Sequence, residues 1–194
     1  MAGEGRRRRI AAGGASRRDV LALTAIIGFG WAAGGQRAIA QPASARPKEG
    51  DLLVSAENEI VLAPADVPFG GPPLLAWPMD AADKTVRKES RLNKILLLRL
   101  DPATLVGATK ERAAEGVVAY SAICPHTACQ VDGWMVDQQI LECSCHYSHY
   151  NPREGAAVID DPTPRPLPAL PLKVVDGTLA VAKPFTSRVG IIPS

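Results

Sequence analysis

Apolar and polar positions alternate along this chain in short stretches of strand length, most of them closed by a turn signal. Residues 93–100 (Asn-Lys-Ile-Leu-Leu-Leu-Arg-Leu) form an apolar run that stops at Asp101-Pro102 and predicts a buried strand. Residues 117–122, apolar and partly β-branched, predict a second strand that feeds a loop. Residues 133–136 and 139–142 alternate on either side of Asp137-Gln138, and residues 170–175 and 178–183 flank Asp176-Gly177. Both patterns predict β-hairpins, the second with the stronger turn signal. Shorter strands are expected over 51–55 and 59–62. Residues 63–79 carry five prolines and Gly70-Gly71, which leaves only 74–77 able to pair. Residues 102–115 have Ala, Leu, Lys, Glu and Arg at helical spacing and predict one short helix capped by Gly116. An uncharged stretch, Val20–Gln36, predicts an apolar N-terminal helix. The sum is an all-β, antiparallel architecture, and no internal repeat points to a solenoid.

Composition sharpens that picture. The 194 residues, 46% of them apolar, can bury one core with tails. Seventeen Gly and 17 Pro argue for a loop-rich β domain over a helical bundle. The net charge of +2 misleads, because residues 1–40 hold seven Lys and Arg against two Asp and Glu, leaving 15 basic and 18 acidic residues for 41–194. The folded part is therefore slightly acidic and has few aromatic residues, so nucleic acid is not an expected partner.

All four cysteines and all three histidines fall between Cys124 and His149. They form Cys124-Pro-His126-Thr-Ala-Cys129 and, 13 residues later, Cys143-Ser-Cys145-His146-Tyr-Ser148-His149-Tyr150. Two loops of this kind, carried on hairpins, can close on one inorganic centre. Structural zinc fits the ligand spacing poorly. A four-thiolate iron–sulfur cluster would use every cysteine and leave the histidines idle, and a metal-free secreted module stapled by disulfides would leave them unexplained as well.

The run Cys-x-His-x(16)-Cys-x-x-His, with an extra cysteine in each loop, resembles the Rieske iron–sulfur family. The resemblance covers residues 124–150 and extends to about residue 184 if Asp161-Pro162-Thr163-Pro164 is the family's proline loop. It implies a [2Fe–2S] cluster with Cys124 and Cys143 on one iron and His126 and His146 on the other. It implies a disulfide between Cys129 and Cys145, as in the high-potential branch. Ser148 and Tyr150 match hydroxyls that donate to cluster and ligand sulfur, and Pro162 and Pro164 would lie against the cluster. The implied fold has Rieske-like antiparallel sheets and a cluster-binding subdomain of two hairpin loops, about residues 117–170. Replacing two thiolates by neutral imidazoles raises the potential, to roughly −150 to +300 mV for the class.

Three rim positions depart from the family pattern. Thr127 replaces a frequent Leu, and Ala128 and Tyr147 replace common glycines. An alanine at 128 leads us to expect a backbone there with no need for a positive φ. His149 is expected to be a supporting or surface residue, since the four ligand positions are filled. Trp77, Tyr120 and Trp134 are expected in the core.

The leader completes the expectation. Arg6–Arg9 and Ser16-Arg17-Arg18-Asp19-Val20-Leu21 ahead of the uncharged stretch resemble a twin-arginine export signal. Residues 1–40 are thus read as signal or anchor, 41–50 as a linker and 51–194 as the folded domain. Cleavage near Gln41 would leave a soluble protein, whereas a retained segment over residues 20–36 would anchor it to the membrane. Either way the domain is expected on the periplasmic side of the cytoplasmic membrane. There it would pass single electrons as a subunit of a respiratory oxidoreductase, with a partner subunit or a cytochrome c as redox partner. The alternative is the iron–sulfur subunit of a quinol–cytochrome c reductase, with quinol docking at the histidines. Nothing in the chain suggests that it turns over a substrate by itself.

Overall fold

The structure, a computed structural model, describes residues 42–160 and 162–191. The anticipated leader and N-terminal helix lie outside them. Among the described residues ten strands form two antiparallel sheets. The larger has six strands: β1 (Leu52–Ser55), β2 (Leu74–Met79), β3 (Ile95–Arg99), β4 (Val117–Ser121), β9 (Leu172–Val175) and β10 (Thr178–Val181), in the order β4-β3-β2-β1-β10-β9. It curls until its edges meet. The backbone of Leu170, just ahead of β9, donates to Ala119 on β4, and Ser121 donates to Pro168.

The apolar run at 93–100 owes its continuity to β3's position inside this curl. Ile95 and Leu97 face a core shared with Leu53, Val117, Ala119, Leu170 and Leu179. Leu96 and Leu98 face a second core with Val118, Tyr120, Leu141 and Tyr150. A strand covered on both faces has no polar positions to alternate.

The second core joins the larger sheet to a smaller one inserted between β4 and β9: β5 (Gly133–Met135), β6 (Ile140–Cys143), β7 (Ser148–Asn151) and β8 (Ala157–Asp160), paired in that order. Trp134, Leu141, Tyr150 and Val158 form one row across it, on the core side. Tyr120 is buried as expected, its hydroxyl donating to the carbonyl of Pro152 at 2.7 Å, while Trp134 is partly buried against this core and Trp77 is half-buried beneath the ammonium of Lys94.

Some expectations are corrected. Residues 59–62 form no strand; Glu59 takes a φ of +59° in a turn, and only Val61 bridges to Val54. The helix over 102–115 is much shorter. A 3-10 turn at Pro102–Thr104 precedes a five-residue helix, α1 (Ala108–Arg112), which ends at Ala113. Ala114 and Val117 close a tight turn through reciprocal backbone bonds, with Glu115 and Gly116 both at positive φ, so Gly116 serves that turn and caps no helix. A Cβ at Gly116 would sit 2.5 Å from the carbonyl oxygen of Leu100. Strands β7 and β8 had no counterpart in the sequence reading.

Residues 45–50 lie on the domain. Arg46 donates to the carbonyl of Leu92 and to Asn93, Asn93 donates to the carbonyl of Ala45, and Gly50 donates to Val181.

Candidate metal centre

Each cysteine loop is a turn that closes on its own first cysteine. In the first, Ala128 N donates to the Cys124 carbonyl at 3.0 Å, and Cys124 N donates to Cys129. In the second, between β6 and β7, Tyr147 N donates to the Cys143 carbonyl at 2.9 Å. The two turns share a geometry. Ala128 and Tyr147, each four residues after the first cysteine, hold φ values of +60° and +59°. The expectation for Ala128 is therefore overturned: the tight return of the loop imposes the left-handed conformation whatever the residue.

A disulfide between Cys129 and Cys145 ties the loops together, with the Cα atoms 6.5 Å apart. Cys124 and Cys143 remain free and buried. Burial pushes the Cys143 thiol up to about 11, with the adjacent Cys124 thiol adding to the shift. The rings of His126 and His146 meet edge to face, centroids 4.6 Å apart. His126 is half-buried and its Nδ1 is sealed from solvent without a hydrogen-bond partner, whereas His146 is exposed.

Strand β7 presents its residues to two sides. Ser148 and Tyr150 are fully buried and His149 lies on the opposite face. Tyr150 Oη lies 3.1 Å from Cys124 Sγ and 3.2 Å from Thr163 Oγ1. Burial, then the Cys124 thiol, raises the phenol above its ordinary range, so it stays protonated and able to donate. Ser148 Oγ is buried with no partner. Pro162 and Pro164 are exposed and flank Thr163, which is 4% exposed and turned to Tyr150. The sequence reading passed over Thr163, though the two prolines it singled out bracket it.

His149 sits between two carboxylates: Nδ1 is 2.9 Å from an Asp160 oxygen and Nε2 is 2.9 Å from Glu142 Oε2. These partners, Asp160 first, raise its pKa. Among the described residues no three His, Cys, Asp or Glu side chains converge as a single-ion site requires. The donors at the loop tips instead divide into two thiols and two imidazoles.

A curled β domain that clasps such a set between two disulfide-linked loops defines a class of metal-cluster protein, and the comparisons identify the class. The family model for the Rieske [2Fe–2S] domain matches residues 78–171. The cytochrome bc1 complex Rieske iron–sulfur subunit of Streptomyces lividans is 32% identical over 146 residues, 73% of this chain and 85% of that one. The corresponding subunit of Streptomyces coelicolor is also 32% identical over 146 residues, but these span 41% of its length. A Haloferax mediterranei protein named "Putative respiratory nitrate reductase subunit Rieske" is 37% identical over 81 residues, 41% of this chain and 36% of that one. Among solved structures, the ferredoxin of carbazole 1,9a-dioxygenase from Nocardioides aromaticivorans aligns with a TM-score of 0.42 at 17% identity, over 72% of this chain and 99% of that one.

The chain belongs to the Rieske [2Fe–2S] family. It is an electron-transfer protein whose cofactor is a [2Fe–2S] cluster. The residues present fit that group. His126 Nδ1 and Ser148 Oγ are buried polar atoms without partners, of the kind a folded protein does not leave unsatisfied unless something else meets them, and Cys124 and Cys143 are buried thiols outside any disulfide.

Proposed function

We propose that Cys124 and Cys143 hold one iron of the cluster and His126 and His146 the other, and that the chain is the one-electron subunit of a respiratory oxidoreductase on the periplasmic side of the cytoplasmic membrane. The observation that carries the assignment is the meeting of two disulfide-joined loops, each carrying one free buried thiol and one of two imidazoles in edge-to-face contact. When bound, the cluster supplies one-electron chemistry at a potential raised by its neutral imidazole ligands. The chain's own groups tune it. Tyr150 has one phenolic proton, and a thiolate at Cys124 draws it more strongly than the Thr163 hydroxyl does, because a charged acceptor makes the stronger bond. Ser148 Oγ, buried and otherwise unpartnered, is the second available donor. Both stabilise the added negative charge of the reduced state and raise the potential. In this reading residues 1–40 are the twin-arginine leader or anchor, and export after folding keeps a cluster that unfolded export would lose.

The test is purification of the full chain with iron and acid-labile sulfide analysis, followed by paramagnetic resonance after reduction. The expected result is two irons per chain and a rhombic signal, both lost in Cys124→Ser and His146→Ala. A colourless, iron-free protein overturns the assignment.

A second reading, the iron–sulfur subunit of a quinol–cytochrome c reductase, is supported by the likeness to the Streptomyces lividans subunit over most of its length. Among the described residues no helix is long and apolar enough to cross a membrane. An anchor and tether would belong before Ala45, since residues 45–50 are bonded to the domain. Recovery in the membrane fraction with quinol-dependent reduction of the cluster favours this reading. A soluble form that copurifies with a larger catalytic subunit favours the first.

A further inference from the structure

Gly133, Glu142, His149 and Asp160 stand in register across β5, β6, β7 and β8. The missing side chain at Gly133 makes room for the Glu142 carboxylate; a Cβ there would lie 2.8 Å from Glu142 Cβ. His149 receives a carboxylate on each ring nitrogen, Asp160 through both oxygens at 3.0 and 2.9 Å and Glu142 at 2.9 Å. A neutral imidazole carries one N–H and would set a lone pair against one of these anions, so only the imidazolium satisfies both. Glu142 from β6 and Asp160 from β8 are the charged groups that face it.

This clamp lies where the strand ladder breaks. The register of β7 on β8 shifts between His149 and Tyr150, since His149 pairs with Asp160 and Tyr150 with Val158, leaving Ile159 over and half-exposed. At a bulge the ladder is locally disrupted, so the backbone beside it is held less firmly by strand pairing alone. Asp160 secures the point twice, because its Oδ1 also accepts the backbone N–H of His149 at 3.2 Å. The residues on either side of His149 are Ser148 and Tyr150, both buried; the Tyr150 hydroxyl reaches Cys124 Sγ and the Ser148 hydroxyl has no partner.

We infer that His149 is a positioning residue: its imidazolium, held between Glu142 and Asp160, fixes β7 so that the Ser148 and Tyr150 hydroxyls reach cluster and ligand sulfur, and through them it sets the reduction potential. The inference rests on the ligand assignment proposed above. Loss of the clamp lets β7 relax at the bulge, lengthens the Tyr150–Cys124 contact and makes reduction harder.

The experiment is a double-mutant cycle on the full-length chain, read as midpoint potential. Iron content of the wild type comes first, and a metal-free wild type overturns the ligand assignment itself. Given a loaded wild type, His149→Gln is expected to lower the midpoint, Tyr150→Phe to lower it as well, and the double variant to fall by less than the two shifts combined, because one acts through the other. A His149→Gln variant that melts earlier but keeps the wild-type midpoint, or shifts that add in full, overturns the inference. If His149→Gln does not assemble, Asp160→Asn replaces it, as that side chain is half-exposed and dispensable to the core. The same downward shift, again reduced in the Tyr150→Phe background, is expected, and an unchanged midpoint overturns the inference.

Discussion

Ala128 and Tyr147 hold a backbone conformation that costs an L-residue about 1–2 kcal/mol, and Tyr147 gains little packing in return, being 66% exposed. Glycine would remove that strain while losing about 0.5–1 kcal/mol more chain entropy on folding. Ala128→Gly and Tyr147→Gly are therefore each expected to stabilise the protein by about 0.5–1 kcal/mol, read as a rise in denaturation midpoint. A loss of stability in both would mean that the loops do not need left-handed residues there. The residue scale is also where the sequence was most legible. The resemblance marked Cys124, His126, Cys143 and His146 as ligands and Cys129 with Cys145 as a bridge, and the structure forms that bridge, because turns closed by their first cysteine fix these positions locally. Thr163 was less legible. Its partner Tyr150 is 13 positions away, and nothing in the local pattern separates a buried threonine between two prolines from an exposed one.

Among the elements, the strands read correctly were those whose pattern has a single cause. β3 is apolar because it is covered twice, and the hairpin of β9 and β10 is announced by Asp176-Gly177. β7 and β8 were missed because His149 and Asp160 on their outward face are charged groups paired with one another and their inward row includes the polar but buried Ser148. That outward face makes the inserted sheet sensitive to pH. The His149 pKa is raised by Asp160 and then Glu142, so its contribution to stability is fully present below the ordinary histidine value near 6.5 and is lost as pH rises through the higher folded value. Thermal stability should fall over that alkaline range in the wild type and stay flatter in His149→Gln. The disulfide acts on the same element. It closes a loop of 16 positions, for which the chain-entropy account gives about 3 kcal/mol, so the paired variant Cys129→Ser/Cys145→Ser is expected to lose about that much in denaturant unfolding.

Across the whole molecule, the least legible feature is a charged group buried where β1 begins and β2 ends. Arg87 is completely buried, its Nε and Nη2 bonded to both oxygens of buried Asp51 and its Nη2 also to Asp80. The neighbouring carboxylates raise its pKa, Asp51 first. Around it the first residues of the domain are assembled: Lys48 pairs with Asp80 at 2.6 Å, and Asn93 bridges the carbonyls of Arg87 and Ala45. The hydrogen bond from Lys48, then the backbone N–H of Ala82, holds the Asp80 carboxyl at about 2, below its usual 3.8. Its stabilising contribution is therefore present above pH 4 and lost as pH falls towards 2. Removing the cation is far more severe, because buried Asp51 loses its charged partner while Asp80 keeps only Lys48. Arg87→Met is expected to cost about 3–5 kcal/mol, whereas a hydrophobic replacement of all three charges would cost much less, since the full set is no better than a well-packed apolar one. Chemical denaturation followed by far-ultraviolet circular dichroism measures both. Because Arg87 serves the larger sheet and the cysteine loops belong to the inserted one, the cluster spectrum of Arg87→Met should match the wild type until the protein unfolds. An altered spectrum in the folded variant would mean that the two sheets are coupled more tightly than their shared apolar core requires.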